Sequence, residues 1–129
     1  MSWSEVLLAL LVSHAVGDVL LQTEWQAQMK VRGVADPVGR QALASHIATY
    51  TLAFLPALVW IGLETSVLRA VAVGALVAAT HLVIDDTRLV SVWLRKVKRA
   101  ADPATALSIA VDQSFHILCL LGAALIAAI

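Results

Sequence analysis

Charge is what this sequence most lacks. Lys, Arg, Asp and Glu together make up 14% of its 129 residues, where a soluble domain of that size carries roughly a quarter. That scarcity argues against an ordinary soluble globule, and an apolar content of 60% argues equally against disorder. An excess of one sign is missing too, because nine basic and nine acidic residues cancel. No bulk field draws nucleic acid, and no nucleic-acid partner is expected. Cysteine occurs once, as Cys119 in an apolar stretch, which excludes an internal disulfide. There is no glycine-rich phosphate loop and no Gly-x-Ser-x-Gly elbow. Ser13 and Ser45 stand beside histidines, but adjacent residues do not face each other on a helix.

What is present is apolar length. The mean hydropathy is +0.87, and a membrane-crossing helix takes about 20 apolar residues. The chain therefore reads as one integral membrane domain over 1–129, an all-α bundle of four short-looped spans at about 3–25, 38–62, 66–88 and 103–129. The first span does not read as a cleavable signal peptide. It lacks a basic start, carries Glu5, and is interrupted by His14 and Asp18.

The basic residues set an expected orientation. Lys30, Arg32 and Arg40 flank the first loop, and Arg88, Arg95, Lys96, Lys98 and Arg99 flank the third, leaving only Arg69 on the opposite side. The positive-inside rule then makes both loops cytoplasmic and places both termini outside. The tryptophans agree, with Trp3 and Trp60 at outer ends, Trp25 near an inner end and Trp93 in the inner loop. In the third loop Val90, Trp93 or Leu94, and Val97 share a helical face opposite Arg95, Lys96, Lys98 and Arg99. A short basic helix lying on anionic inner-leaflet lipids is expected there, a solvated loop being the alternative.

A repeat runs through the polar residues. Asp36-Pro37 and Asp102-Pro103 both read as helix starts, with aspartate as cap and proline in the first turn. His14-x-x-x-Asp18 precedes the first mark by 22 residues and His81-x-x-x-Asp85 precedes the second by 21. His46 and Asp112 each follow their proline by nine. The pattern predicts a duplicated helical hairpin.

The same residues carry the expected chemistry. Each span holds one histidine: His14, His46, His81 and His116. Asp18, Asp85 and Asp112 stand four residues from a histidine, so each pair shares a helical face; Gln22 extends the first face by a turn, and Tyr50 sits one turn beyond His46. An aspartate at the centre of a span costs about 2.5–3.5 kcal/mol on insertion scales. No Lys or Arg is expected at the depth of Asp18 or Asp112, although Arg88 could reach Asp85. The deep carboxylates must then be protonated, hydrogen-bonded to histidine, or bound to a cation.

Histidine and aspartate are ligands for zinc foremost, and for iron or manganese, and bundles host such sites on facing helices. The expected ligands are His14, Asp18, His46, His81, Asp112 and His116, for one ion or, given the repeat, two. Gln22 and Gln113 would support them, with Asp85 as general base and Tyr50 beside it as catalytic groups. The expected function is a metal-dependent hydrolase of a lipid or lipid-linked substrate with an anionic headgroup. The alternatives are a divalent-metal or proton transporter and a non-catalytic assembly or sensing protein whose polar groups fix helix packing. The expected partners are the bilayer and its anionic inner-leaflet lipids, with a homo-oligomer left open.

The motifs His14-x-x-x-Asp18-x-x-x-Gln22, His46, His81-Leu-x-Ile-Asp85 and Asp112-Gln113-x-x-His116 resemble a bacterial multi-pass membrane family designated domain of unknown function 3307. The resemblance spans nearly the whole chain. Gly17-Asp18-Val19 keeps the polar part of the family's first motif but lacks its usual aromatic residue, and the basic residue after the third-span motif is approximated by Arg88. The resemblance implies a bacterial inner-membrane location and no established activity.

Overall fold

The structure is a computed structural model describing residues 1–129, and it is entirely helical. Helix α1 covers Trp3–Ala15 and runs on as a π-helical turn over Val16–Leu20. There follow α2 (Glu24–Lys30), α3 (Pro37–Ala53), α4 (Leu55–Glu64), α5 (Val67–Asp85), α6 (Arg88–Lys96) and α7 (Thr105–Ala128). Three segments are long and apolar enough to cross a membrane: Trp3–Leu20, Val67–Asp85 and Thr105–Ala128. The pair α3–α4 makes a fourth if it counts as one bent span.

Local signals explain most boundaries. Glu5 belongs to a reciprocal cap: its backbone N–H donates to Ser2 Oγ while its carboxylate accepts from the Ser2 N–H. Asp36 Oδ1 accepts from the Gly39 N–H at 2.8 Å, with Pro37 opening α3 as expected. The matching Asp102-Pro103 does not start a helix. The chain bends at Asp102 and stays non-helical through Ala104, and α7 begins at Thr105 without a side-chain cap.

The second apolar segment is not one straight helix either. It bends by 48° at Phe54. Pro56 has no N–H to give the Leu52 carbonyl and its ring clashes there, so the ladder breaks just before it. Thr23 and Gln26 form a second reciprocal cap and start α2, which takes up the end of the expected first span and the loop after it. The first apolar segment thus ends near Leu20, and Trp25 belongs to α2. The third loop does form a helix. In α6, Val90 and Leu94 are buried against Ile84 and Val111, while Trp93 packs edge-on against Phe115 with ring centroids 5.4 Å apart. Val97, expected on the same face, is exposed.

Helix α7 packs against α1 and α5, α5 packs against α3 and α4, and α2 lies on α3. Toward the chain termini the interior is apolar: Val6, Leu10, Phe54, Ile61, Val73 and the small residues Ala123, Ala124 and Ala127 are buried. Small residues let backbones approach where lipid offers no hydrophobic drive between helices. Gly74 acts in this way, since a Cβ there would lie 3.0 Å from Leu58 Cδ1 on α4. Large apolar side chains such as Leu8, Leu63, Leu68 and Leu118 point outward and are mostly exposed. Between this apolar end and α6 lies a layer of polar side chains.

Candidate metal centre

The π-helical turn brings Asp18 into that layer. The Leu21 N–H bonds to the Val16 carbonyl at 2.9 Å, so one extra residue fits into the turn and re-aims what it carries. Gly17 makes this possible by letting the turn lie directly on α3, because a Cβ there would fall 2.8 Å from Tyr50 Cδ2 and 3.2 Å from Tyr50 Cα. Helix α3 contributes His46, and α5 contributes His81 and Asp85 one turn apart.

These four residues form one group. His46 Nε2 lies 3.0 Å from His81 Nε2, 3.2 Å from Asp85 Oδ2 and 3.3 Å from Asp18 Oδ1. His81 Nε2 lies 3.2 Å from Asp85 Oδ2 and 3.9 Å from Asp18 Oδ1. Gln22 Nε2 adds a further polar atom 3.1 Å from His46 Nε2. A single imidazole nitrogen offers one proton or one lone pair, so it cannot satisfy all of these neighbours at once. His46, His81 and Asp85 are almost completely buried.

A second group shares Asp85. His116 on α7 is 2% exposed, with Nε2 3.7 Å from Asp85 Oδ1 and Nδ1 3.4 Å from Asp112 Oδ2. Either group, Asp18–His46–His81–Asp85 or Asp85–Asp112–His116, could hold a metal ion, since its donor atoms all lie within 4.8 Å of one another. Asp18 Oδ1, His81 Nδ1 and His116 Nε2 are buried without a hydrogen-bond partner. Such orphaned atoms are uncommon in folded proteins and are costly to bury.

His14 lies outside both groups. Gln113 Nε2 donates to Asp18 Oδ2 at 3.1 Å and to Asp112 Oδ2 at 3.2 Å, so its carbonyl must accept from His14 Nε2–H at 3.0 Å. That leaves a lone pair on His14 Nδ1, which takes the Tyr50 O–H at 2.9 Å. Both ring nitrogens of His14 are therefore occupied. Tyr50 is also stacked on His81, with ring centroids 3.5 Å apart. The Tyr50–His14–Gln113 chain thus fixes two carboxylates and one imidazole face.

One expectation is overturned. Asp18 and Asp85 do have a cationic neighbour: Lys30 Nζ lies 2.7 Å from Asp85 Oδ2 and 3.8 Å from Asp18 Oδ1. Lys30 closes α2, and α2 folds back along α3, where the Gln26 amide donates to Ser45 Oγ. This turns a loop lysine inward. The Thr23-x-x-Gln26 cap was the available sequence signal for it. Arg88 does not reach Asp85 but pairs with Asp86 at 3.1 Å, whose other oxygen accepts from the Val34 N–H. Three carboxylates, Asp18, Asp85 and Asp112, still face one ammonium, which favours a further cation.

The layer opens to one side. A cleft of about 950 Å³ is lined by the polar Asp18, Lys30, Asp85, Asp112 and Gln113, by the apolar Val90, Leu94 and Ile109, and by Arg88 and Arg95. A family model described as Protein of unknown function (DUF3307) matches residues 6–128, nearly the whole chain. No curated protein and no solved structure matches.

Proposed function

Because the chain belongs to the DUF3307 family, and membership brings no assigned activity with it, we propose a function from the site itself. The protein is a bacterial inner-membrane, four-span hydrolase that uses a divalent ion, zinc foremost and iron or manganese next, on a lipid or lipid-linked substrate. Both termini lie outside, and the two halves are copies of one helical hairpin. In support of the duplication, the equivalent residues Asp18 and Asp85 meet in one cluster.

The observation that carries the metal is a spacing. Four donors bound tetrahedrally at about 2.0–2.1 Å lie about 3.3 Å from one another. The donor atoms of Asp18, His46, His81 and Asp85 already stand 3.0, 3.2, 3.2, 3.3 and 3.9 Å apart in five of their pairings. A bound ion supplies Lewis acidity and an acidified water. The chain's own groups do the rest. Gln113 and His14 hold the carboxylates in place, Tyr50 backs His81, and the cleft receives the substrate. Its apolar walls suit acyl chains, and Arg88 and Arg95 suit an anionic headgroup. Asp85, expected as a general base, is better placed as a ligand, since both its oxygens face imidazoles.

Transport fits less well. The end of the bundle toward the termini is closed by Leu10, Phe54, Ile61 and Ala124, with no polar trail. The test is elemental analysis of the detergent-purified chain, paired with hydrolysis of phosphatidylglycerol-containing vesicles. Stoichiometric divalent metal, lost in His46→Ala and His81→Ala together with turnover, supports the reading. A metal-free protein with intact helices would make the cluster a packing device and end it.

A further inference from the structure

Resting on that reading, we infer that the centre holds two ions rather than one, with Asp85 as the carboxylate bridging them. The two oxygens of Asp85 face opposite ways. Oδ2 belongs to the His46, His81 and Asp18 group, while Oδ1 looks toward His116 Nε2 at 3.7 Å.

The orphaned nitrogen of His116 marks the second position. Its Nδ1 lies 3.0 Å from the backbone carbonyl of Asp112, an atom that can only accept, so Nδ1 bears the proton. Nε2, the ring's other nitrogen, is buried without a hydrogen-bond partner and lies 3.7 Å from Asp85 Oδ1. That separation is too long for an N–H···O bond, but it suits two donors that bind one ion at about 2.0–2.1 Å each. A hydrogen bond from a histidine's other nitrogen to a backbone carbonyl is also the usual way of orienting a metal-binding imidazole.

The two positions differ in kind. The first has four protein donors and is closed, and Lys30 Nζ stands against the same Asp85 oxygen that it uses. The second has three, from Asp85, Asp112 and His116, and Asp112 is 29% exposed where it lines the cleft. Three protein ligands with an open coordination position are typical of an ion that contacts substrate. Paired ions sharing a carboxylate clamp the attacking and leaving oxygens of a phosphoryl or acyl ester. Asp18, His46 and His81 would hold the closed ion together with Asp85, and Asp112 and His116 would leave the open one accessible to an anionic substrate oxygen entering past Arg88 and Arg95.

The experiment uses the full chain in detergent, loaded with Zn(II) for elemental analysis and with Mn(II) for electron paramagnetic resonance. The wild type is expected to bind two ions per chain and to show a spin-coupled manganese pair. His116→Ala and the conservative Asp112→Asn are each expected to lose one equivalent and the coupling, keeping the other ion. One uncoupled ion in the wild type, removed by His46→Ala, would overturn the second site while leaving the single-ion reading standing; it would mean His116 serves as an imidazolium partner of Asp85. Two coupled ions that persist in both variants would overturn the assignment of Asp112 and His116. No ion in the wild type would sink both readings. Because the wild type alone decides between one ion and two, poor folding of a variant does not protect the claim.

Discussion

Toward the chain termini the long helices meet through Leu10, Phe54, Ile61 and the Ala123–Ala124–Ala127 stripe, all buried and all apolar. Toward α6 the same helices turn Asp18, His46, His81 and Asp85 against one another and draw Lys30 in from α2. The first region is held by shape alone, so losing a side chain there costs only its contacts. The second is held by charge balance, so losing one member leaves another buried without its partner. Independent apolar contacts lie at one end of the bundle and a mutually dependent charged cluster at the other.

Four single variants and one double variant test that contrast. Asp85→Ala should do most damage, because it removes a ligand and strands the Lys30 ammonium. Breaking a buried ion pair costs about 3–5 kcal/mol, and bound metal should vanish. Adding Lys30→Met to it should restore much of the thermal stability but none of the metal. If the double variant regains metal, the assignment of Asp85 is wrong. Next comes Gly17→Ala, whose Cβ would collide with Tyr50. Overpacking of this kind costs about 1–3 kcal/mol. It should weaken metal binding as well, since it pushes on the turn that aims Asp18, and metal titration of the purified variant would show this.

Leu10→Ala in the apolar end should cost about 2 kcal/mol, near the bottom of the range for such truncations, because a lipid-facing reference removes the transfer part. Metal content should be unchanged, and any loss of metal would mean the two ends are not separable. Thr23→Ala should be mildest, about 1 kcal/mol from a lost cap on α2. Its signature is local: faster hydrogen exchange over Glu24–Lys30 with the spans still protected. Uniformly faster exchange would instead show that α2 supports the whole bundle.

The apolar segments were legible because membrane length and hydropathy leave few alternatives, and the histidine–aspartate spacings were legible because helical faces follow from residue number. What escaped depended on backbone irregularity or on chain returning from outside the spans. The extra residue in the turn at Val16–Leu20 has no periodic signature, and only Gly17 hints at a close approach. Lys30 was read as a loop charge because its approach to Asp85 depends on the docking of α2 along α3. Pro56 was a legible break that the continuous hydropathy masked. Asp36 and Asp102 look alike in sequence, yet only Asp36 finds a helix N–H, a distinction made by the chain beyond each proline.

The central claim, that the acids and imidazoles of the polar layer coordinate an ion, is tested most directly by X-ray absorption at the zinc edge on the full chain in detergent. The account predicts a shell of nitrogen and oxygen only, at about 2.0–2.1 Å, with outer scattering from imidazole rings that weakens in His46→Ala. A spectrum with sulfur at about 2.3 Å, or one without imidazole scattering, would contradict it.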